Sequence, residues 1–526
     1  MVDGLVRARE ILTIKWLKSP LSAALLLVLL WTVYRLVCLR YTGIPQPVEH
    51  DEFSYLLGAD TFAHGRLANP PLTLGKFFES PHILVRPVYA SKYPPGQALF
   101  LALGQVLFGS AFYGVLIGNA FMLFTFCLML FAWVPARSAL LVSAMFGLTL
   151  SRTMYWTNSY WGGSVAASGG ALVLLGIGIY RSKQSALGGF LFAVGIMLLF
   201  WTRPYEGGIF TLVVLIVFAK ELWRKPRTRV LVISISAFTI GMAWTCYYNQ
   251  VITGSPFRLP YFLYDRQYNV TPVFWFQPLR PQPTYSQPRL GAQHGTNGWE
   301  SSQYHKLGPW YQSVQISLIR SLSSMVLTLG PALLLILVVP VARRDPLYRK
   351  MAIVNAVFLL ALTAETFHTQ HYAAPAWAAL GLMIAVWAER ARTLRIGNLQ
   401  VGVALVLLAI VSPAIVVSSM SETLDMNSWG KWSERRAALI ETLSRKNRGQ
   451  LVIVHYPSSD WRVEKEWVYN SADIDHQRVI FAHDLGMEQN RALLDYYPDR
   501  TALLLTFDSA SGQEKIEPYP ALPLQR

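Results

Sequence analysis

Twelve runs of apolar residues, most about 15–25 long, occupy most of this 526-residue chain and limit what it can fold into. They fall at 20–39, 96–110, 112–133, 137–155, 162–180, 186–204, 207–223, 230–250, 316–341, 350–366, 371–389 and 398–420. About 20 apolar residues in helix cross the roughly 30 Å of bilayer hydrocarbon. Only 14% of the chain is charged, where a soluble domain carries about 25%. Together these features exclude a soluble enzyme, a disordered chain and a disulfide scaffold. The three cysteines, Cys38, Cys127 and Cys246, all lie inside apolar runs and imply neither a disulfide framework nor a zinc knuckle. The expected fold is a mainly α, polytopic membrane protein.

The net charge of +16 would suit nucleic acid if it were gathered in one place. Instead, segments 1–19, 134–137, 181–185, 219–229, 342–350 and 389–395 together hold 19 Lys and Arg against 5 acids. Segment 40–95 holds five of each sign, and the tail from 421 holds 13 basic against 16 acidic residues. Basic residues concentrated in one alternate set of short loops follow the positive-inside rule. The expectation is a cytoplasmic N-terminus in the inner membrane, with 40–95, 251–315 and the C-terminal tail on the extracytoplasmic side. Scattered over six loops, the charges form no stripe for nucleic acid. The first run is long, follows basic residues and lacks a small-residue cleavage site, so it reads as an anchor. Twelve crossings would put the tail on the wrong side. The 15-residue run 96–110 is short for a crossing, so it reads as a half-helix, giving about eleven crossings (11–12 transmembrane helices).

The expected domains are a membrane domain over 1–420 and a small extracytoplasmic α/β domain over 421–526. Within the first outer loop, 50–67 has helical apolar spacing that predicts a helix lying on the membrane surface and stopped by Pro70-Pro71. Loop 251–315 carries eight prolines and many aromatics without periodicity. In the tail, 451–456, 478–484 and 502–508 predict strands, while 433–446 and 487–496 predict helices.

Ionisable residues at membrane depth or at span ends are costly and mark function. The outward ones are Asp51, Glu52, Lys92, Arg152, Arg203, Glu206, Glu365, His368 and His371. Asp51, with Glu52 beside it and Tyr55 one turn on, could act as a general base or cap the helix through the amide of Ser54. Lys92, followed by Tyr93-Pro94-Pro95, could neutralise a phosphate or snorkel. Arg152 and Tyr160 precede the pair Gly162-Gly163, which with the Arg leaves room for a ligand, although aromatic belts explain such a stretch equally well. Arg203 and Glu206 form either a structural ion pair or an arginine site for phosphate. Glu365, His368, His371 and Tyr372 could hydrogen-bond a phosphate; their spacing is weak evidence for a metal.

The ordered set of Asp51-Glu52, Tyr93-Pro94-Pro95, Arg203 with Glu206, and His371-Tyr372 before Pro375 resembles the GT-C membrane glycosyltransferases. Among these it is most like bacterial proteins similar to protein O-mannosyltransferases and the lipid A aminoarabinose transferase. The resemblance covers about residues 15–420. It implies a multi-span core, a catalytic acidic motif of Asp51 as base with Glu52 beside it in the first outer loop, and a polyprenyl-phosphate-linked sugar as donor. Lys92, Arg203, His371 and Tyr372 would meet the donor phosphate, and a lipid, glycan or protein hydroxyl would be the acceptor. No second acid appears in 155–163, so no metal or other cofactor is expected, with a divalent ion left open. Competing readings are a transporter or flippase and an accessory protein whose tail binds a partner. Charges at span ends and the lack of a repeat between the halves count against a transporter.

Overall fold

The computed structural model describes residues 19–150, 155–223, 227–423, 426–457, 465–508 and 511–520; Arg152 lies outside them. Each of the twelve apolar runs contains helix. Among the described residues, five helices are long and apolar enough to cross a membrane: Pro20–Thr42, Ala111–Trp133, Gly163–Lys183, Thr228–Thr253 and His371–Ala391. Five shorter apolar helices accompany them, including Pro95–Phe108, whose 14 residues span only about 21 Å. The protein is a mainly α, polytopic membrane protein.

The chain divides into two compact units that each draw on separated parts of the sequence. The first unit gathers 1–44, 112–244 and 309–424. Its helices show why these runs are so apolar. Leu29, Val33 and Val37 of Pro20–Thr42 are more than half exposed although large and hydrophobic. Such surfaces are stable only against lipid. Gly163–Lys183 is buried over most of its length. A Cβ at Gly170 would clash with the Pro375 carbonyl oxygen, so glycine alone lets the segment Gln370–Ala376 pack against this helix.

The second unit gathers 45–111, 245–308 and 425–526. Its first element is the helix His50–Ala63, which ends at His64 and Gly65 before Pro70-Pro71 is reached. The apolar side chains of this helix pack inside protein: Phe53 and Leu57 share one hydrophobic core with Trp432, Val452, Trp467, Phe481 and Phe507. The surface-helix expectation is corrected accordingly, because the tail supplies the apolar cover that a bilayer was expected to give. A short hairpin of β1 (Ile83–Leu84) and β2 (Ala90–Ser91) follows. The C-terminal segment forms a four-stranded sheet from β3 (Gln450–His455), β4 (Val479–His483), β5 (Thr501–Asp508) and β6 (Gln513–Pro518), in the order β4-β3-β5-β6. The first three are parallel, with Val452 opposite Phe481 on one side and Leu503 on the other. β6 runs antiparallel along β5, and its charged Glu514, Lys515 and Glu517 protect the sheet edge.

Candidate functional site

The residues singled out from sequence sort into two clusters, one in each unit. In the second unit, the helix carrying Asp51 is capped by Glu49, while Glu52 Oε2 accepts the amides of Val48 (2.7 Å) and Glu49 (3.0 Å). This corrects two expectations. Asp51 is not the cap, and the Glu52 carboxylate is turned to the backbone, where it holds the helix start. Asp51 thereby has its side chain available for other contacts. Its Oδ1 accepts a short hydrogen bond from the Tyr93 hydroxyl and lies 2.5 Å from His82 Nδ1. No hydrogen bond to Oδ2 is found among the described residues. The Asp51 side chain is 27% exposed, so water or a substrate can reach it. Burial favours the neutral acid, but His82 and then Lys92 outweigh it and hold the Asp51 carboxyl well below the usual carboxylate range. Burial pushes His82 down to about 4, aided by Lys92, so at neutral pH the ring is uncharged and donates Nδ1–H to Asp51.

The residues around this aspartate are held in turn. Tyr93, whose hydroxyl burial and Asp51 hold far above its ordinary value, remains a donor and stacks on Tyr55 with ring centroids 4.6 Å apart. Lys92 does not snorkel: it is 3% exposed, with its ammonium 5.2, 4.9 and 4.8 Å from the ring centroids of Tyr93, Tyr261 and Tyr264. Three aromatic faces stabilise this buried cation. Asp265 is buried with Arg280 at 3.4 Å, and burial pushes its carboxyl up to about 6.

Sequence reasoning missed several members of this cluster: His50, His82, Tyr264, His294, Glu300 and Tyr469. His50 Nδ1 lies 2.7 Å from the Tyr469 hydroxyl, and Tyr264 accepts the His82 amide at 2.8 Å. His294 and Glu300 lie within one stretch, GAQHGTNGWE, between the helices Pro288–His294 and Trp299–Lys306. A Cβ at Gly298 would come within 2.8 Å of the Gln293 carbonyl, so glycine there permits the tight connection that returns Glu300 to His294. A histidine and an acid six apart across two glycines was the available signal.

The second cluster belongs to the first unit. Arg203 precedes the helix Pro204–Val217, with Nη1 3.4 Å from Glu206 Oε1 and its guanidinium carbon 4.1 Å from the Tyr372 ring centroid. Tyr372 also meets His368 and His371, at ring separations of 5.8 and 5.0 Å, and His371 lies 5.0 Å from Trp161. Residues 365–369 are not helical, so no shared helix face joins Glu365 to His368; Gln370–Ala376 is a 3-10 turn. Tyr160 packs edge-on against Phe112 at 5.8 Å. Arg35, absent from the sequence-based set, is buried in Pro20–Thr42 and donates to the Thr157 carbonyl (3.0 Å) and Asn158 Oδ1 (2.8 Å).

No family model and no curated protein sequence matches the chain. Solved structures do. ArnT from Cupriavidus metallidurans in the apo state aligns over 92% of this chain and 92% of its own, at 14% identity and a TM-score of 0.48. The apo oligosaccharyltransferase of Archaeoglobus fulgidus aligns over 92% of this chain and 69% of its own, at 13% identity and a TM-score of 0.51. At such identities the likeness concerns the course of the backbone. The chain has the fold of the GT-C membrane glycosyltransferases.

Proposed function

We propose that the protein is a membrane glycosyltransferase that moves a sugar from a polyprenyl-phosphate-linked donor to a hydroxyl acceptor by a single inverting displacement, with Asp51 as general base. The observation that carries this reading is the state of Asp51. It is ionised and accessible, and its Oδ1 is fixed by Tyr93 and His82. Oδ2 takes the acceptor's proton as the acceptor oxygen attacks the anomeric carbon. The bond from that carbon to the phosphate oxygen breaks, and the polyprenyl phosphate leaves with the electron pair. Phosphate is a good leaving group and needs no protein acid, but the charge it gains must be offset. Lys92 is a buried cation of the same unit. For the first unit, Arg203 with His371 and Tyr372 is proposed as a phosphate-binding group in its own right.

The fold shared with an oligosaccharyltransferase supports the transferase class. The charge distribution over the loops supports a reaction on the extracytoplasmic side of the inner membrane. The sugar and the acceptor are identified by mass spectrometry of envelope glycans and lipids from cells with and without the gene. The base is tested by purified Asp51→Asn protein, which is expected to bind donor and to transfer sugar about 10²–10⁴-fold more slowly. Transfer at the wild-type rate would remove Asp51 from the mechanism.

A further inference from the structure

Five of the basic loops meet around one cavity of the first unit. Segments 134–137, 181–185, 219–229, 342–350 and 389–395 hold 15 Lys and Arg against three acids, Glu221, Asp345 and Glu389. All three acids line a cavity of about 520 Å³, together with Trp133, Phe218, Arg181, Lys350 and Arg390. Loops that the positive-inside rule assigns to one side of the membrane are therefore together in space.

Each of these acids already has its cation. Lys350 pairs with Glu221 Oε1, and Arg390 Nη2 lies 2.8 Å from Asp345 Oδ2. Asp345 Oδ1 also accepts the amides of Leu347 (2.9 Å) and Tyr348 (3.4 Å). Glu389 takes Arg137 at 2.6 Å, Arg392 at 2.7 Å and the Ser138 hydroxyl at 2.6 Å. Two arginines on one carboxylate leave a surplus positive charge at that wall. Arg181 adds another: among the described residues it has no ion pair or hydrogen bond, and its guanidinium carbon lies 4.7 Å from the Trp133 ring centroid. Lys350 Nζ lies 4.5 Å from the Phe218 centroid, and the two rings are 5.3 Å apart. Two cations thus stand on neighbouring aromatic faces, and Glu221 balances one of them. Like charges so placed repel, and an anion between them relieves the repulsion.

The depth of the cavity selects the anion. Trp133 ends the crossing Ala111–Trp133, Arg181 lies in the last turn of Gly163–Lys183, and Glu389 and Arg390 close the span His371–Ala391. Span ends sit at the level of the lipid head groups. Leu347 and Val386 on the same walls suit the carbons next to a head group, whereas a free anion gains nothing from them. Basic pockets between membrane helices are a recurring form of lipid site.

We propose that this cavity binds the phosphate head group of an anionic phospholipid, of the phosphatidylglycerol class, from the leaflet on the side of the basic loops. Arg181 donates to the phosphate oxygens, with Lys350 beside it. The rival reading makes Arg181 a cation that does no more than close the C-terminal end of its helix. The site is independent of the reading of Asp51, and its test measures no sugar transfer.

Full-length protein, purified in detergent and stripped of lipid, is titrated in native mass spectrometry. The probes are phosphatidylglycerol, phosphatidylcholine with the same chains, and the soluble head group glycerophosphoglycerol. About one phosphatidylglycerol per chain is expected to bind, roughly tenfold or more tightly than phosphatidylcholine. Arg181→Gln is expected to lose about tenfold in that affinity, near the worth of one charge-assisted hydrogen bond. Arg343→Gln removes the same charge from a residue off the cavity wall and is expected to change the affinity less than about twofold. Equal losses in the two variants would mean a diffuse attraction to the basic loops and overturn the site, as would phosphatidylcholine bound as tightly as phosphatidylglycerol. A soluble head group that displaces the lipid at matching concentration overturns the lipid assignment and makes the ligand a free phosphate diester. Should Arg181→Gln not fold, wild type decides: phosphatidylglycerol with a photoactivatable head group must crosslink to peptides containing Trp133, Arg181 or Lys350. Crosslinks confined to other peptides overturn the site.

Discussion

The two polar clusters treat their charges differently. In the second unit Asp51 is fixed through one oxygen, with Tyr93 and His82 both on Oδ1, and the carboxylate stays partly accessible. In the first unit Arg203 is gripped on two sides, by Glu206 at 3.4 Å and by the Tyr372 ring. A group fixed through one atom keeps another for a substrate, whereas a group held by an ion pair and a ring must be shared with any ligand it meets. On the proposed function, this contrast suits the first cluster described to chemistry and the other to binding. The largest expected effect tests it most severely. Asp51→Asn should lower kcat by about 10²–10⁴-fold, the range for loss of a positioned general base, with melting temperature and donor KM unchanged. A variant that loses its fold along with its activity would put Asp51 among the structural residues.

A second contrast lies between two buried ion pairs. Arg289 Nε meets Glu466 Oε2 at 3.0 Å, and its guanidinium carbon lies 3.7 Å from the Tyr456 ring centroid. Glu466 Oε1 also accepts the Tyr456 hydroxyl at 2.5 Å and the Val468 amide at 2.8 Å. This pair, with Glu466 bonded through both oxygens, joins the loop that carries Arg289 to the C-terminal segment and is structural in character. Arg289→Ala leaves the 1%-exposed Glu466 without its cation and is expected to cost about 3–5 kcal/mol in unfolding free energy. Denaturant melts check this; a loss below about 1 kcal/mol would place the pair with ordinary surface bridges. Arg203–Glu206 is looser, so Arg203→Ala should act first on the donor. Donor KM should rise roughly tenfold, near the worth of one charge-assisted hydrogen bond, while acceptor KM stays put. Equal changes in both would make Arg203 a scaffold residue like Arg289.

These contrasts also explain what could be read in advance. Asp51, Lys92 and Arg203 were legible because an ionisable side chain beside a long apolar run is rare and costly, whatever the fold does with it. The strands at 451–456, 478–484 and 502–508 were legible because each is a compact apolar run; β6 was not, since a charged edge strand has no such run. Glu49 as cap escaped notice because the aspartate two residues on is the better capping residue by type. The contacts of Tyr93 and His82 with Oδ1 show Asp51 engaged elsewhere. His82, His294 and Glu300 were invisible for a different reason: His82 and His294 stand 212 positions apart, and only tertiary structure brings their rings within 6.0 Å. Lys92 shows the same limit, since its three tyrosines come from two separate loops.

The smallest effect concerns pH and separates the sheet from the Asp51 cluster. His483, at the end of β4, is 3% exposed and donates Nε2–H to the Glu79 carbonyl at 2.9 Å. Burial pushes its pKa down, with Arg289 adding to the effect and Glu466 opposing it, so the folded ring stays neutral where an unfolded histidine is protonated. Below about pH 6.5 the unfolded chain therefore binds the extra proton, and stability falls as pH falls, by at most about 1.4 kcal/mol per pH unit. His483→Gln retains a donor for Glu79 and cannot titrate. Melts between about pH 6.5 and 5, above the range in which Glu466 takes its proton in the unfolded state, should show a shallower slope for the variant than for wild type. Parallel slopes would mean that His483 is charged in the folded protein, and that the pair with Glu466, 4.0 Å away, outweighs the cost of burial.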